Sequence, residues 1–366
     1  MPYFGFALTA AGHHRAGWAE TSADPRSLFT GQHYVSLAQL AERGRFDFLT
    51  IADSFAPVEG VGGQLDALLV AARIGPATDH IGLLPTVTTT HTEPFHVSKS
   101  VATLDYVSNG RAGWHADVSR TAAEAAHFGR RPAESSDRLW AEAGDAIDVV
   151  RRLWDSWEDG AEIRDAPTGR FIDRDKLHYV DFAGEFFSVR GPSITPRSPQ
   201  GQPLVSVRVD DPAALPIAAQ WADIVHSSAR QLAEATDIRQ RVRAAVAAAG
   251  RDPDQVAFLV DVATTVAGSE PEAVALQERL DLRASSSTSC LTFVGSGAGL
   301  VDLIEQWHDV VDGFTLSAAV LPQGLEAIVD HAVPILTDRG LLPAAYASGS
   351  LRDRFGLPRP ASRYAA

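Results

Sequence analysis

The chain has 366 residues, 45% of them apolar and 21% charged, and a formal net charge of −14. That balance suits a soluble globular protein with a large core, and with no basic block to offset it, it argues against a nucleic-acid or anionic-membrane surface. A single cysteine, Cys290, excludes an intramolecular disulfide and points to a reducing cytoplasm.

Residues 1–6 carry no basic region ahead of their apolar run, and nothing approaches 18 uninterrupted apolar residues, so neither a signal peptide nor a membrane span is expected. In chain order the sequence repeats one unit: a short apolar strand, a turn, then an amphipathic helix. Residues 3–8 make a first strand and 46–52 a second, which ends at Asp53. Leu65, Leu68, Leu69 and Ala72 follow at helical spacing, closed by Gly75. Residues 81–84 make a third strand that runs into the Thr-rich stretch 86–90, after which Val97, Val101 and Leu104 recur on one helix face. Residues 110–118 read as a fourth strand and 139–154 as its helix. Strand-like runs at 204–207, 223–225, 256–262 and 313–316 follow, with helical stretches at 231–249, 271–282 and 300–307.

Eight strands alternating with helices require a parallel sheet covered by helices, and that number predicts an α/β fold of the closed (β/α)8 TIM-barrel kind, in one domain over 1–366. An open doubly wound sheet is the alternative, but no Gly-x-Gly-x-x-Gly follows the first strand. Two stretches break the rhythm. Residues 155–202, rich in Pro, Gly, Arg and Asp, predict an insertion near the fifth strand. A second excursion spans about 283–298, and within it 283–290, with four serines, predicts a mobile loop before the eighth strand.

In such a barrel functional groups sit on the loops that follow the strands. His13 and His14 follow the first strand, Asp53 the second, and Thr86, Thr88 and His91 the third. His115 and Asp117 lie in the fourth, Asp210 and Asp211 follow the fifth, and His226, Ser227 and Ser228 follow the sixth. Each has a plainer reading. Asp53 serves equally as a helix cap or a ligand contact, His226 as a satisfied barrel-end histidine, Trp114 as packing, and Cys290 as a small buried hydrophobe. A metallohydrolase centre needs two histidines alternating on one face of the first strand. His13 and His14 are adjacent and diverge when extended, so no metal site is expected.

Several segments are similar to successive motifs of one family. They include Gly12-His13-His14-Arg15-Ala16-Gly17-Trp18, Leu40-Ala41-Glu42-Arg43-Gly44-Arg45-Phe46-Asp47-Phe48 and Ile51-Ala52-Asp53-Ser54. Thr86-Val87-Thr88-Thr89-Thr90, Glu93-Pro94-Phe95-His96, Gly110-Arg111-Ala112-Gly113-Trp114 and Leu351-Arg352-Asp353-Arg354-Phe355-Gly356-Leu357 continue the pattern. Together they resemble the nitrilotriacetate monooxygenase, pristinamycin synthase and dibenzothiophene-sulfone monooxygenase branch of the luciferase-like superfamily, over essentially the whole chain.

The resemblance implies a bacterial flavoprotein that takes reduced FMN from a separate flavin reductase and uses O2 to oxidise a small organic substrate. It also implies a homodimer. Carried over by position, Asp53 lies at the flavin edge, Thr86 and Thr88 offer hydroxyls to the ring, and His115 stands where the family has Asn after Trp. His13 and His226 are the candidate substrate or proton-transfer groups. Residues 283–290 would form a lid against solvent. Departures cluster at cofactor positions: Asp117-Val118-Ser119 replaces Val-Thr-Ser, and the His and Tyr before the fourth helix fall on Ser135 and Leu139. The Gly-Ser-Ser turn that receives the flavin phosphate falls on Val209-Asp210-Asp211, which replaces donors by like charge. Two alternatives follow: a deazaflavin of the F420 type, which no motif favours, and a cofactor-poor, non-catalytic barrel that acts as a subunit or ligand-binding protein.

Overall fold

The computed structural model describes residues 1–56, 62–285 and 288–365. Eight parallel strands close into a ring: β1 (Tyr3–Leu8), β2 (Phe48–Ile51), β3 (Gly82–Thr88), β4 (Gly113–Asp117), β5 (Leu204–Arg208), β6 (Ile224–Ser227), β7 (Ala257–Ala267) and β8 (Gly313–Ala318). Each pairs with its neighbours in chain order, and β8 returns to β1, as the strand–helix alternation predicts. The helices that cover them include α1 (Gly31–Arg43), α2 (Ala67–Ile74), α3 (Pro94–Val107), α4 (Ser136–Asp155), α5 (Ala214–Trp221), α6 (Leu232–Ala248), α7 (Glu270–Arg283) and α8 (Gly297–Trp307), with Gln323–Ala327 and Val333–Asp338 following β8. Local chemistry sets several starts. The Thr30 side chain accepts from the His33 N–H ahead of α1, and Asp66 accepts from the Leu69 N–H ahead of α2.

Period-two alternation sends one set of strand side chains into the lumen and the other under the helices. The outward set, such as Leu49, Trp114, Val205 and Val225, joins the main core. The inward set is layered. Its lowest layer is apolar, with Phe48, Leu84, Leu204, Ile224 and Leu259 packed on Leu351, Phe355 and Leu357 from the far end of the chain. Gly5 makes room for it, because a Cβ there would stand 2.4 Å from the Phe48 ring. Above that floor the inward residues turn polar.

Arg111 is a structural clamp. Buried, it donates to the carbonyls of Ser108, Ile81, Gly75 and Thr78 and to the Thr78 hydroxyl, at 2.7–3.0 Å. Trp114 is core, fully buried, with its indole N–H on the Val87 carbonyl at 3.0 Å.

The insertion before β5 holds two small antiparallel hairpins, Glu162–Asp165 with Arg170–Ile172 and Phe182–Ala183 with Ser188–Val189. The second excursion is more regular than expected. Arg283 ends α7, Ser286 and Ser287 lie outside the described residues, and Leu291–Ser296 is a strand parallel to the distal half of β7. Thr292, Phe293 and Val294 are β-formers, so they extend the sheet instead of looping.

The mouth of the barrel as candidate active site

The C-terminal ends of the strands carry the polar side chains. In the upper lumen, His115 from β4 and His226 from β6 meet edge to face, with ring centroids 5.2 Å apart. His115 Nδ1 shares a 2.7 Å hydrogen bond with the Ser206 hydroxyl, while His226 Nδ1 faces Thr315 Oγ1 at 3.2 Å and Asp261 Oδ1 at 3.4 Å. The second ring nitrogen of His226, Nε2, is buried with no partner. Burial, followed by the charges of His226 and Arg208, holds His115 well below the ordinary imidazole range, so it is neutral at pH 7.

One step higher, Arg208 from β5 pairs with Asp261 from β7 and reaches Asp210 at 3.3 Å. Burial works to raise the Asp261 pKa, but the Arg208 guanidinium overrides it and holds the carboxylate at about 2. Arg208 and Asp261 were not among the residues expected here. Their signal was a lone charge on the inward phase of an apolar strand, Leu204-Ser206-Arg208 and Leu259-Asp261, since a charge there needs an opposite one across the lumen.

His13 and His14 diverge, as their adjacency requires. His14 is tied down, accepting the Ala16 N–H on Nδ1 at 3.1 Å and meeting Asp281 of α7 at 3.2 Å. His13 has no well-formed hydrogen bond on either ring nitrogen, and burial drops its pKa to about 4. Its backbone is fixed: the His13 N–H donates to the Ala318 carbonyl at 2.9 Å, and Gly12, at φ +113, passes so close to β8 that a Cβ would lie 2.2 Å from the Ala319 oxygen.

Three cavities open at this end. One of about 330 Å³ is lined by Asp53, Thr86, Thr88 and His96, so three expected site residues share a wall. A second of about 330 Å³ is lined by Gly12, His13, Tyr34, Ile51, Ala52 and Gln64. A third of about 510 Å³ lies beside Val209, Asp210, Ser228 and Arg230. The remaining expected residues are apart from these: His115 and His226 in the lumen, and Asp211 against α4, where it accepts from Ser136 and Trp140. Another cavity, of about 350 Å³ at the opposite face near Tyr3, Arg239 and Asp312, lies at the end that serves stability in barrels of this class.

Asp53 stands at the start of α2 and at the edge of a cavity. Its Oδ2 accepts the Ala67 N–H at the start of α2 at 2.8 Å, and the side chain borders the first cavity, where burial raises its pKa. Thr88 donates to the Thr90 carbonyl and receives the Ser119 hydroxyl at 3.3 Å. Cys290 is half-buried, and burial together with Asp261 pushes its thiol pKa up, away from a nucleophilic thiolate. Among the described residues no three His, Cys, Asp or Glu side chains gather as a metal site, and no helix is long and apolar enough to cross a membrane.

The profile described as luciferase-like monooxygenase matches residues 4–309. N-acetyl-S-(2-succino)cysteine monooxygenase of Bacillus subtilis (strain 168) is 30% identical, over 99% of this chain and 98% of its own length. Nitrilotriacetate monooxygenase component A of Aminobacter aminovorans is 32% identical, over 97% of this chain and 96% of its own. Those alignments run over 430 and 437 positions, so each relative carries segments that this 366-residue chain lacks. The solved EDTA monooxygenase (EmoA) of Chelativorans sp. BNC1 superposes with a TM-score of 0.89 at 23% identity, covering 98% of this chain and 99% of its own.

Proposed function

The chain belongs to the luciferase-like monooxygenase family, and from that premise we propose that it is a flavin-dependent monooxygenase that oxidises a small organic molecule at the barrel mouth. The observation that carries the reading is the cavity wall shared by Asp53, Thr86 and Thr88, with the neutral His13 lining a separate cavity at the same end of the barrel. A flat ring edged with carbonyls and N–H groups suits that wall: hydroxyls and one carboxyl group on largely apolar surroundings. The ring half of a flavin therefore fits. The phosphate half of FMN, the form expected from the sequence, does not fit the Val209-Asp210-Asp211 turn, where the carboxylates consume the local donors.

A bound reduced flavin supplies the electrons with which O2 is activated. The protein's part is placement and shielding. Asp53, Thr86 and Thr88 would hold the ring edge. His13, uncharged at pH 7, would act as a hydrogen-bond partner to substrate and not as an acid. His115 and His226 would act from the lumen, with His115 uncharged at pH 7. A separate reductase as flavin source accords with the name component A of the Aminobacter relative. A homodimer and a cytoplasmic location belong to the same reading. The two relatives are named for different acids, so only the class of small organic substrate carries over.

The test is equilibrium titration of the purified protein with riboflavin and FMN, followed by O2 consumption with a flavin reductase. Uptake at micromolar concentration of at least one flavin is expected, weakened about tenfold by Thr88→Val, the equivalent of one lost hydrogen bond. A flat titration with every flavin overturns the reading and leaves the non-catalytic barrel in its place.

A further inference from the structure

The turn after β5 already holds its anions. Asp211 accepts from the Ser136 hydroxyl, from the Trp140 indole N–H at 3.3 Å and from the Ala213 N–H at 3.0 Å, with the Arg120 guanidinium 3.8 Å away. Asp210 accepts from the Ser228 N–H at 2.7 Å, the Ser228 hydroxyl at 2.6 Å and Arg208 at 3.3 Å. Hydroxyls, backbone amides, an indole N–H and guanidinium groups are the set that a phosphate ester recruits. Here the chain's own carboxylates occupy it. Burial raises the Asp211 pKa, but the bonds from Ser136, Ala213 and Trp140 more than offset that and hold it below the usual range, so Asp211 stays anionic at pH 7.

A phosphate brought to this turn would meet two fixed negative charges and donors already in use. A terminal hydroxyl meets the reverse, a carboxylate acceptor for the proton it offers. The same exchange of acid for phosphate receptor separates NAD from NADP sites, where an Asp or Glu takes a ribose hydroxyl and excludes the phosphate. We propose that this chain takes its flavin without the 5′-phosphate, riboflavin in preference to FMN, and that Asp210 and Asp211 set that choice. The proposal rests on the flavin reading above and on the resemblance that places the ribityl terminus at this turn.

The experiment is a pair of binding titrations on the full chain, riboflavin against FMN, by fluorescence quenching at low and high salt. Wild type is expected to bind riboflavin at least tenfold tighter than FMN, and added salt should narrow the gap by screening the repulsion. Asp210→Ser/Asp211→Ser should narrow or invert the ratio by tenfold or more, chiefly by tightening FMN. Asp210→Asn, which keeps the shape and removes one charge, gives the same direction if the double variant fails to fold, as thermal melting will show. FMN binding as tight as riboflavin in wild type overturns the proposal, as does a ratio unmoved in the folded variants, and both outcomes leave the flavin reading standing. Failure of both flavins to bind removes the reading and the proposal together.

Discussion

Arg208 at the end of β5 and Asp261 in β7 form an ion pair across the lumen, directly above the imidazoles of His115 and His226. Removing one partner leaves the other as an uncompensated charge in a confined space. Arg208→Met is expected to cost about 2–3 kcal/mol, below the ~3–5 of a fully buried pair, because the Arg208 side chain keeps 39% of its exposure. Arg208→Met/Asp261→Leu should recover most of that loss. Urea unfolding of the single and double variants checks both statements, and equal loss in both contradicts the pairing argument.

His13 gives the protein an acid sensitivity with a definite sign. Its folded pKa of about 4 lies below the ordinary 6.5, so the unfolded chain binds the extra proton first. Its influence is absent above pH 6.5, and stability falls as pH drops from there toward 4, by about 2–3 kcal/mol in all. His13→Gln should remove that share. The urea midpoint of the variant is expected to fall less than that of wild type between pH 7 and pH 4.5, and parallel curves contradict it.

Gly12→Ala tests how the first loop is held. A Cβ there meets the Ala319 oxygen at 2.2 Å in backbone of positive φ, so β1 and β8 must part and carry His13 with them. A loss of about 2 kcal/mol or more is expected, with turnover reduced. Gly129→Ala, also at positive φ but with nothing within 4 Å of the added carbon, should cost only about 1 kcal/mol and leave turnover intact. Melting curves and O2 consumption measured together separate strain from collision.

Arg111→Lys retains the charge but loses the planar fork that serves three separate stretches of chain. At least two buried carbonyls go without a donor, and a loss of about 3 kcal/mol is expected by urea unfolding. A change under about 1 kcal/mol would falsify the clamp role.

The strand–helix alternation was legible because each strand is a compact apolar run and burial on both faces leaves few polar residues inside it. Several helices escaped, Gln323–Ala327 and Val333–Asp338 after β8 among them. Ala214–Trp221 is short and mostly apolar, and Gly31–Arg43 has its apolar positions diluted by Gln, His and Ser. The strand Leu291–Ser296 was hidden by the serines just ahead of it. In the site, motif order and loop position indicated eight residues: Asp53, Thr86 and Thr88 border one cavity, His13 and Asp210 two others, His115 and His226 meet in the lumen, and Asp211 packs against α4. Arg208 and Asp261 were not anticipated, because each lies in an otherwise apolar run and acquires meaning only when the ring closes and sets them opposite one another.

Leu351, Phe355 and Leu357 plug the greasy floor that strands made earlier in the chain have to share. During synthesis every strand has therefore emerged before its stopper does. A nascent chain halted short of Leu351 exposes the undersides of Phe48, Leu84 and Leu259 to water, an open apolar well of the kind chaperones hold. The segment that carries Leu351, Phe355 and Leu357, made after every strand, thus acts as the latch of the whole ring, and replacing these three side chains by polar ones should produce a sticky, aggregating barrel before it produces an inactive one.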